Sequence, residues 1–404
     1  MMTVNHRVRP LDPGRPNAAN RILLVALLAA ATSAGVLAQK TQAPGQIQPR
    51  PAQGRKPEFP PPSIVDYKPR STLVVPEHQV PRAKFPAIDI HGHPGSLTSD
   101  EAIDRVVDAM DSLNVQVMIN ASSTNGARLR DSLEAIQSSK HRDRFAMFTG
   151  VDFRDVGPGF GERAARQLEA DVEAGATGLG EIMKSFGLQV QKSDGSRLRL
   201  DDPELDPIWQ TAARLGIPVF IHTADPAEFF EPLDYNNERW LEMALFGNRR
   251  YFDRSRFPSF DELMAERDRL VRKHQKTTFV LAHLGWHAQD LGRLGRLMDQ
   301  APNVYGEIGA VLYDLGRQPR HARAFFIKYQ DRLLFGKDSF QPDEYPYYWR
   351  VLETADEYFD YYRDYHAFWK LYGMELPDIA LKKLYYGNAL RIVPRLPVDA
   401  FPPI

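Results

Sequence analysis

The chain has 404 residues, with 51 Lys plus Arg against 52 Asp plus Glu and a formal net charge of -1. That balance excludes a nucleic-acid platform, which needs a basic surface to displace counterions, and offers no polybasic patch for a membrane surface. Cysteine is absent, so disulfides, thiolate metal sites and a cysteine nucleophile are excluded and any metal must be held by His and carboxylates.

At the N-terminus, Arg7, Arg9, Arg15 and Arg21 precede an apolar run over residues 22–38, which ends Val36-Leu37-Ala38. This pattern predicts a secretory signal peptide over residues 1–38 and a mature start at Gln39. The predicted location is therefore exported, periplasmic or secreted; the alternative is anchoring by residues 22–38, a run at the lower limit for spanning a bilayer. Without the signal, no membrane contact is expected. Residues 39–84 are rich in Pro, Gln and Arg. Proline at this density removes backbone donors, so the segment reads as an extended linker.

From residue 85 onward, short apolar, β-branched runs alternate with segments of helical period. The runs cover 87–92, 115–121, 145–152, 177–183, 219–223, 278–284, 304–310 and 332–337, with helical patterns such as DEAIDRVVDAMDSLN and DPIWQTAARLG between them. Continuous apolar runs separated by helices mean parallel strands buried on both faces. Eight of them predict an α/β fold, a (β/α)8 TIM barrel over residues 85–394 with a short tail at 395–404. In such a barrel the active site lies at the C-terminal ends of the strands.

Those ends carry chemistry. The first run ends Asp89-Ile90-His91-Gly92-His93, and a period of two puts Asp89, His91 and His93 on one face. The fifth ends in His222, the sixth in His283, and the eighth in Gly336-Lys337-Asp338. Two imidazoles two residues apart can chelate one divalent ion. No GxSxG or P-loop motif is present, so hydrolysis through an activated water outranks covalent serine or nucleotide chemistry.

The pattern resembles the amidohydrolase superfamily, in the amidohydrolase-related branch that also contains zinc-dependent decarboxylases. The resemblance is carried by HGH, IHTADP, AHLG, FGKDS and YYGNALRIV. It implies that His91, His93, His222 and Asp338 are metal ligands, that Asp338 handles the proton of a metal-bound water, and that His283 polarises the substrate. The cofactor implied is a divalent metal, zinc first, as one ion with a second left open. Asp89 is expected behind the ligands, accepting from a ligand imidazole. Lys337 is expected to face away from Asp338. At the fourth strand end, Glu181 or Lys184 could bridge a second ion or meet the substrate. Glu307 on the seventh strand is left open between substrate contact, a role behind the ligands and a paired core charge.

The remaining pocket candidates are Trp286 and His287 after strand six, Arg317 after strand seven, and Tyr345 and Tyr348 after strand eight. A long connection from Thr223 to about Phe260 is expected to wall or cover the site, and Asp194-Gly195 to turn a small hairpin. The leading expectation is an exported metal-dependent hydrolase acting on a C–N or C–O bond of a small molecule. Its rivals are a non-oxidative decarboxylase of a small carboxylic acid, aromatic acids included, and a metal-free binding barrel. The expected partner is a small-molecule substrate; a homo-oligomer is left open.

Overall fold

A computed structural model describes residues 59–60, 62–366 and 369–404. The signal peptide expected over residues 1–38, and the linker as far as residue 58, lie outside the described residues. The chain divides into two units, 1–72 and 73–404. In the first, Ser63 closes a turn by accepting from the backbone N–H groups of Asp66 and Tyr67, both at 3.0 Å. Among the described residues, the second unit holds every strand and helix.

Nine short strands form a single parallel sheet. They are β1 (Ala87–His93), β2 (Val115–Asn120), β3 (Phe145–Thr149), β4 (Gly178–Ile182), β5 (Val219–Ile221), β6 (Phe279–Leu281), β7 (Val304–Glu307), β8 (Leu333–Leu334) and β9 (Asp338–Ser339). Their order is β8-β7-β6-β5-β4-β3-β2-β1-β9. β8 and β9 are successive pieces of one chain run, so pairing of Gly92 with Asp338 and of His93 with Ser339 closes the ring. The backbone N–H of Ile90 also donates to the Phe335 carbonyl at 3.1 Å. This is the expected TIM barrel, its eighth strand interrupted at Phe335-Gly336-Lys337.

Seven longer helices lie between the strands: α1 (Asp100–Leu113), α2 (Gly126–Ser138), α3 (Phe160–Ala174), α4 (Asp206–Leu215), α5 (Phe260–Lys273), α6 (Leu291–Gln300) and α7 (Pro319–Lys328). Their ends follow local chemistry. Ser99 caps α1 by accepting from Ala102 N–H at 3.3 Å. Ser259 and Glu262 form a reciprocal capping box on α5, with bonds of 3.1 and 2.7 Å. Each helix turns an apolar stripe to the sheet (Ile103, Val106, Val107 and Met110 on α1, for example), and the strands are buried almost throughout. Burial on both faces explains why the strand runs read as continuously apolar.

The segment before β1 is part of this unit. His78 reaches Asp356 through its backbone N–H at 2.8 Å and its ring Nδ1 at 2.5 Å, and Ala83 is buried. The small hairpin forms, with Gln191 bridged to Arg197. The connection after β5 holds three short helical turns, at Ala227–Phe230, Trp240–Leu245 and Gly247–Arg249, before α5 begins.

Candidate metal centre

Four side chains meet at the C-terminal mouth of the barrel. β1 brings His91 and His93, β4 brings Glu181, and the start of β9 brings Asp338. Glu181 Oε2 lies 3.3 Å from His91 Nε2 and 3.2 Å from His93 Nε2. Asp338 Oδ1 lies 3.9 and 3.8 Å from the same two nitrogens. Donors about 2.0–2.2 Å from a tetrahedral ion stand about 3.3–3.6 Å from one another, so the spacing of His91, His93 and Glu181 fits an ion between them, with Asp338 a few tenths of an ångström farther out. His91 Nε2 is a buried atom with no hydrogen-bond partner, although such atoms are normally satisfied. An imidazole lone pair aimed at three other donors is the arrangement a divalent cation completes. The side chains of His93 and Asp338 are 26% and 37% exposed, so the cluster opens to solvent on their side.

The electrostatics agree. Burial disfavours a charged His91, yet Glu181 and Glu307 on either side outweigh it and hold its proton well above the ordinary imidazole range. Glu181 is likewise pulled well below the carboxylate range, against its burial, by His91 and His222. Burial would raise Asp338, but His91 and His283 bring it below its usual value. The site demands positive charge, which protons supply in the bare protein and a cation would supply in their place.

Glu181 also faces a second group. Its Oε1 is 2.5 Å from His222 Nδ1, and ligand atoms of Glu181, His222 and His283 lie within 4.8 Å of one another. The second nitrogen of His222 accepts from the Trp286 indole N–H at 3.3 Å, a donor shared with the Ala224 carbonyl at 3.1 Å. Glu181 is thus the carboxylate common to both donor groups, where a second ion was left open.

His283 owes its position to an unusual backbone. Residues 283–286 all have positive φ, 58, 53, 59 and 53°, a left-handed turn in which each non-glycine residue costs about 1–2 kcal/mol. Specific bonds hold it. The His283 N–H donates to Glu307 Oε2 at 3.1 Å, and Arg267 on α5 donates to the Gly285 carbonyl at 2.9 Å. His283 Nδ1 sits 2.7 Å from the Gly309 carbonyl; a carbonyl only accepts, so Nδ1 carries the hydrogen. Burial, reinforced by repulsion from His222, lowers the His283 pKa to about 4. The ring is therefore neutral near pH 7 and presents Nε2 as an acceptor, whereas the substrate polarisation expected of His283 would need a donor. Trp286 lies beside it, ring centres 4.5 Å apart and planes tilted by 33°.

Asp89 differs from expectation. It touches no imidazole ring. Its Oδ1 accepts from the backbone N–H of His91 at 2.9 Å and of Lys337 at 3.2 Å, and its Oδ2 from the Tyr345 hydroxyl at 2.6 Å. The imidazole partner is Glu307, whose Oε2 is 3.0 Å from His91 Nδ1. Alternation along β1 gives Asp89 and His91 one face, but β9 and the tyrosine close over Asp89 first. Lys337 faces away from the cluster, bonded to Glu344 over the rings of Tyr345, Tyr348 and Tyr362.

Other candidates lie apart from the cluster. Tyr345 and Tyr348 are wholly buried braces, the latter accepting from Ala310 N–H at 2.9 Å. His287 turns toward α5, with Nε2 3.1 Å from Arg267 Nη2. Arg317 is taken by Asp314 at 2.7 Å and Glu238 at 3.1 Å. Lys184 pairs with Asp225 at 2.8 Å, and Asp225 also accepts from Tyr251 at 3.0 Å. Arg267 and Gly309 carry weight in the site without a signal in the sequence, since only long-range packing gives them their roles. Beside Glu181, the ends of β2, β3 and β4 border a cleft of about 530 Å³ lined by Ser123, Arg128, Asp152, Ile182 and Met183.

A family model described as Amidohydrolase matches residues 126–395, about two-thirds of the chain. The gamma-resorcylate decarboxylase of Polaromonas sp. strain JS666 is 26% identical over 172 residues, 41% of this chain and 49% of the relative; the chain spans about half the length of that curated relative. Among solved structures, a dihydroxybenzoic acid decarboxylase from Polaromonas sp. JS666, with bound manganese and the inhibitor 2-nitroresorcinol, is similar at a TM-score of 0.46 and 16% identity, covering 76% of this chain and 96% of that one. A 5-carboxyvanillate decarboxylase from Novosphingobium aromaticivorans is similar at a TM-score of 0.44 and 18% identity, covering 71% and 78%. On the family match, this chain belongs to the amidohydrolase family.

Proposed function

We propose that the protein is a divalent-metal-dependent decarboxylase of a small aromatic carboxylic acid. The observation that carries this reading is the match to gamma-resorcylate decarboxylase, and it moves the decarboxylase ahead of the hydrolase favoured by sequence motifs alone. The geometry supports it. His91, His93, Asp338 and Glu181 would hold the ion, with His222 on the other oxygen of Glu181. The mixed imidazole and carboxylate set suits zinc, with manganese as the competing choice. When bound, the ion would supply Lewis acidity toward a substrate oxygen.

The chain's own residues would do the rest. His283 Nε2, a neutral acceptor, would receive a hydrogen bond from a substrate hydroxyl and orient the ring. Asp338, ionised and open to the mouth, would take the acidic proton of the substrate and return it to the ring carbon as the C–C bond to the carboxyl breaks and carbon dioxide leaves. The proton lost from the acid is the proton gained by carbon, and no water is consumed.

The test is a screen of hydroxylated benzoic acids, amides and lactones with the metal-loaded protein in 18O-water. Labelled carbon dioxide from a 13C-carboxyl substrate, with no 18O in the aromatic product, is the expected result. A product carrying 18O, formed without carbon dioxide, would return the hydrolase reading to first place. We also propose that this chemistry takes place outside the cytoplasm, on the strength of the arginine-flanked apolar run at residues 22–38; mass spectrometry of protein from its native host should then find an N-terminus at Gln39.

A further inference from the structure

Three N–H groups converge on one carboxylate behind the metal centre. Glu307, at the end of β7, has no exposed surface. Its Oε2 meets His91 Nδ1 at 3.0 Å and the His283 backbone N–H at 3.1 Å, while Oε1 accepts from the Gly309 backbone N–H. The Gly309 carbonyl in turn takes the His283 Nδ1 hydrogen at 2.7 Å. Two glycines leave room for this. A Cβ on residue 309 would stand 2.6 Å from Glu307 Oε1, and one on residue 336 would run into the same oxygen and stand 2.6 Å from His91 Cβ.

We propose that Glu307 is the positioning residue of the site, one carboxylate that fixes the His91 imidazole toward the ion and the left-handed turn bearing His283 at the same time. The chemistry requires a carboxylate. An ionised carboxylate only accepts hydrogen bonds, and all three groups facing Glu307 donate them. With Nδ1–H spent on Glu307, His91 keeps its Nε2 lone pair for the cluster. Partners of this kind set the orientation and basicity of a ligand imidazole. Glu307 differs from ordinary partners in that its same oxygen also bonds the backbone of His283, a residue placed on the substrate side. Glutamine in its place would aim an amide N–H at one of three donors. Asp89, the buried carboxylate two residues before His91, bonds the His91 backbone N–H and not its ring, so it does not substitute.

This inference rests on the metal reading and not on the reaction proposed. The experiment measures zinc affinity of the metal-free full chain against a competing chelator, then turnover at saturating metal on whichever compound of the screen is turned over. Glu307→Gln should weaken zinc binding by about 10–100-fold. Turnover should stay at least about tenfold below wild type when metal is saturating, because the His283 turn has lost its anchor as well. Gly336→Ala, which crowds the same carboxylate without changing its charge, should shift both quantities in the same direction and covers the case in which Glu307→Gln fails to fold. Variants whose zinc affinity and saturated turnover both stay within about twofold of wild type, with only a lowered melting temperature, would overturn the proposal. Full recovery of turnover by added metal would overturn the claim that Glu307 acts on His283. The wild-type affinity tests the metal reading itself, whereas the ratios to it test Glu307.

Discussion

Arg267 is the most informative single perturbation away from the metal. Its guanidinium is wholly buried. It donates to the Gly285 carbonyl at 2.9 Å, to His287 Nε2 at 3.1 Å and to Asp268 Oδ1 at 2.8 Å. Arg267→Met keeps most of the volume and removes the donors. A buried carbonyl left unpaired costs about 1–3 kcal/mol. Asp268 keeps a side chain 19% exposed, so loss of its partner costs less than for a fully buried pair, about 1 kcal/mol. The buried His287 Nε2, left without its donor, costs about 1–3 kcal/mol more, and relief of the arginine's own desolvation offsets part of the sum, leaving a net loss of about 3 kcal/mol. The compact unit runs from Leu73 to Ile404. At about 2.1 cal/mol/K per residue its unfolding entropy is about 0.7 kcal/mol/K, and the melting temperature should fall by about 4 °C. Turnover should fall about tenfold because the freed turn carries His283, while bound metal stays constant because Arg267 touches none of the donors. A thermal scan, metal analysis and steady-state rates on one preparation check all three. An unchanged melting temperature with unchanged turnover would refute the view that Arg267 holds the left-handed turn; loss of metal would show that the turn belongs to the ion's own support.

Other consequences follow from the same geometry. His91→Ala or His93→Ala should each remove most bound metal, measured by plasma emission after desalting, since each deletes a donor. His283→Asn should leave the metal in place and lower kcat by about 10² or more, read from kcat against KM. Tyr345→Phe leaves Asp89 Oδ2 without a partner and should lower stability by about 1–3 kcal/mol in urea unfolding. The metal-free protein should be most stable near pH 6.5, by urea midpoints at several pH values. His283 and His287, held down to about 4 and about 2 chiefly by burial, contribute stability above the unfolded value of about 6.5 that is lost as pH falls below it. His91, raised by Glu181 and Glu307 against its burial, contributes stability that is lost as pH rises. Metal should abolish the alkaline decline, because the ion replaces that proton.

Much of the barrel was legible because β strands buried on both faces leave uninterrupted apolar runs; all eight appear at their expected positions, all but the first shorter than its run because ladder pairing stops where the ends bend toward the site. His91, His93, His222, His283 and Asp338 could be picked out because a barrel turns strand ends to one face. What the sequence hid depends on packing across the barrel. Nothing in Ala282-His283-Leu284-Gly285-Trp286 announces four residues of positive φ, since only one of the four is glycine. Asp89 and Glu307 are both strand carboxylates, and which of them reaches the His91 ring is decided by the close approach of Gly309 and Gly336 to Glu307. His287 follows the turn closely enough to suggest a pocket position, yet Arg267 on α5 takes its ring. Lys337 was readable from strand alternation, whereas its tyrosine surroundings come from the connection after β9.

The claim beneath all of this is that His91, His93, Glu181 and Asp338 surround a divalent ion. Crystals grown with zinc and measured on both sides of the zinc absorption edge test it directly. The account predicts an anomalous peak about 2.0–2.2 Å from His91 Nε2, His93 Nε2 and the facing carboxylate oxygens. Absence of any peak among these four residues, in crystals that hold zinc elsewhere, would contradict it.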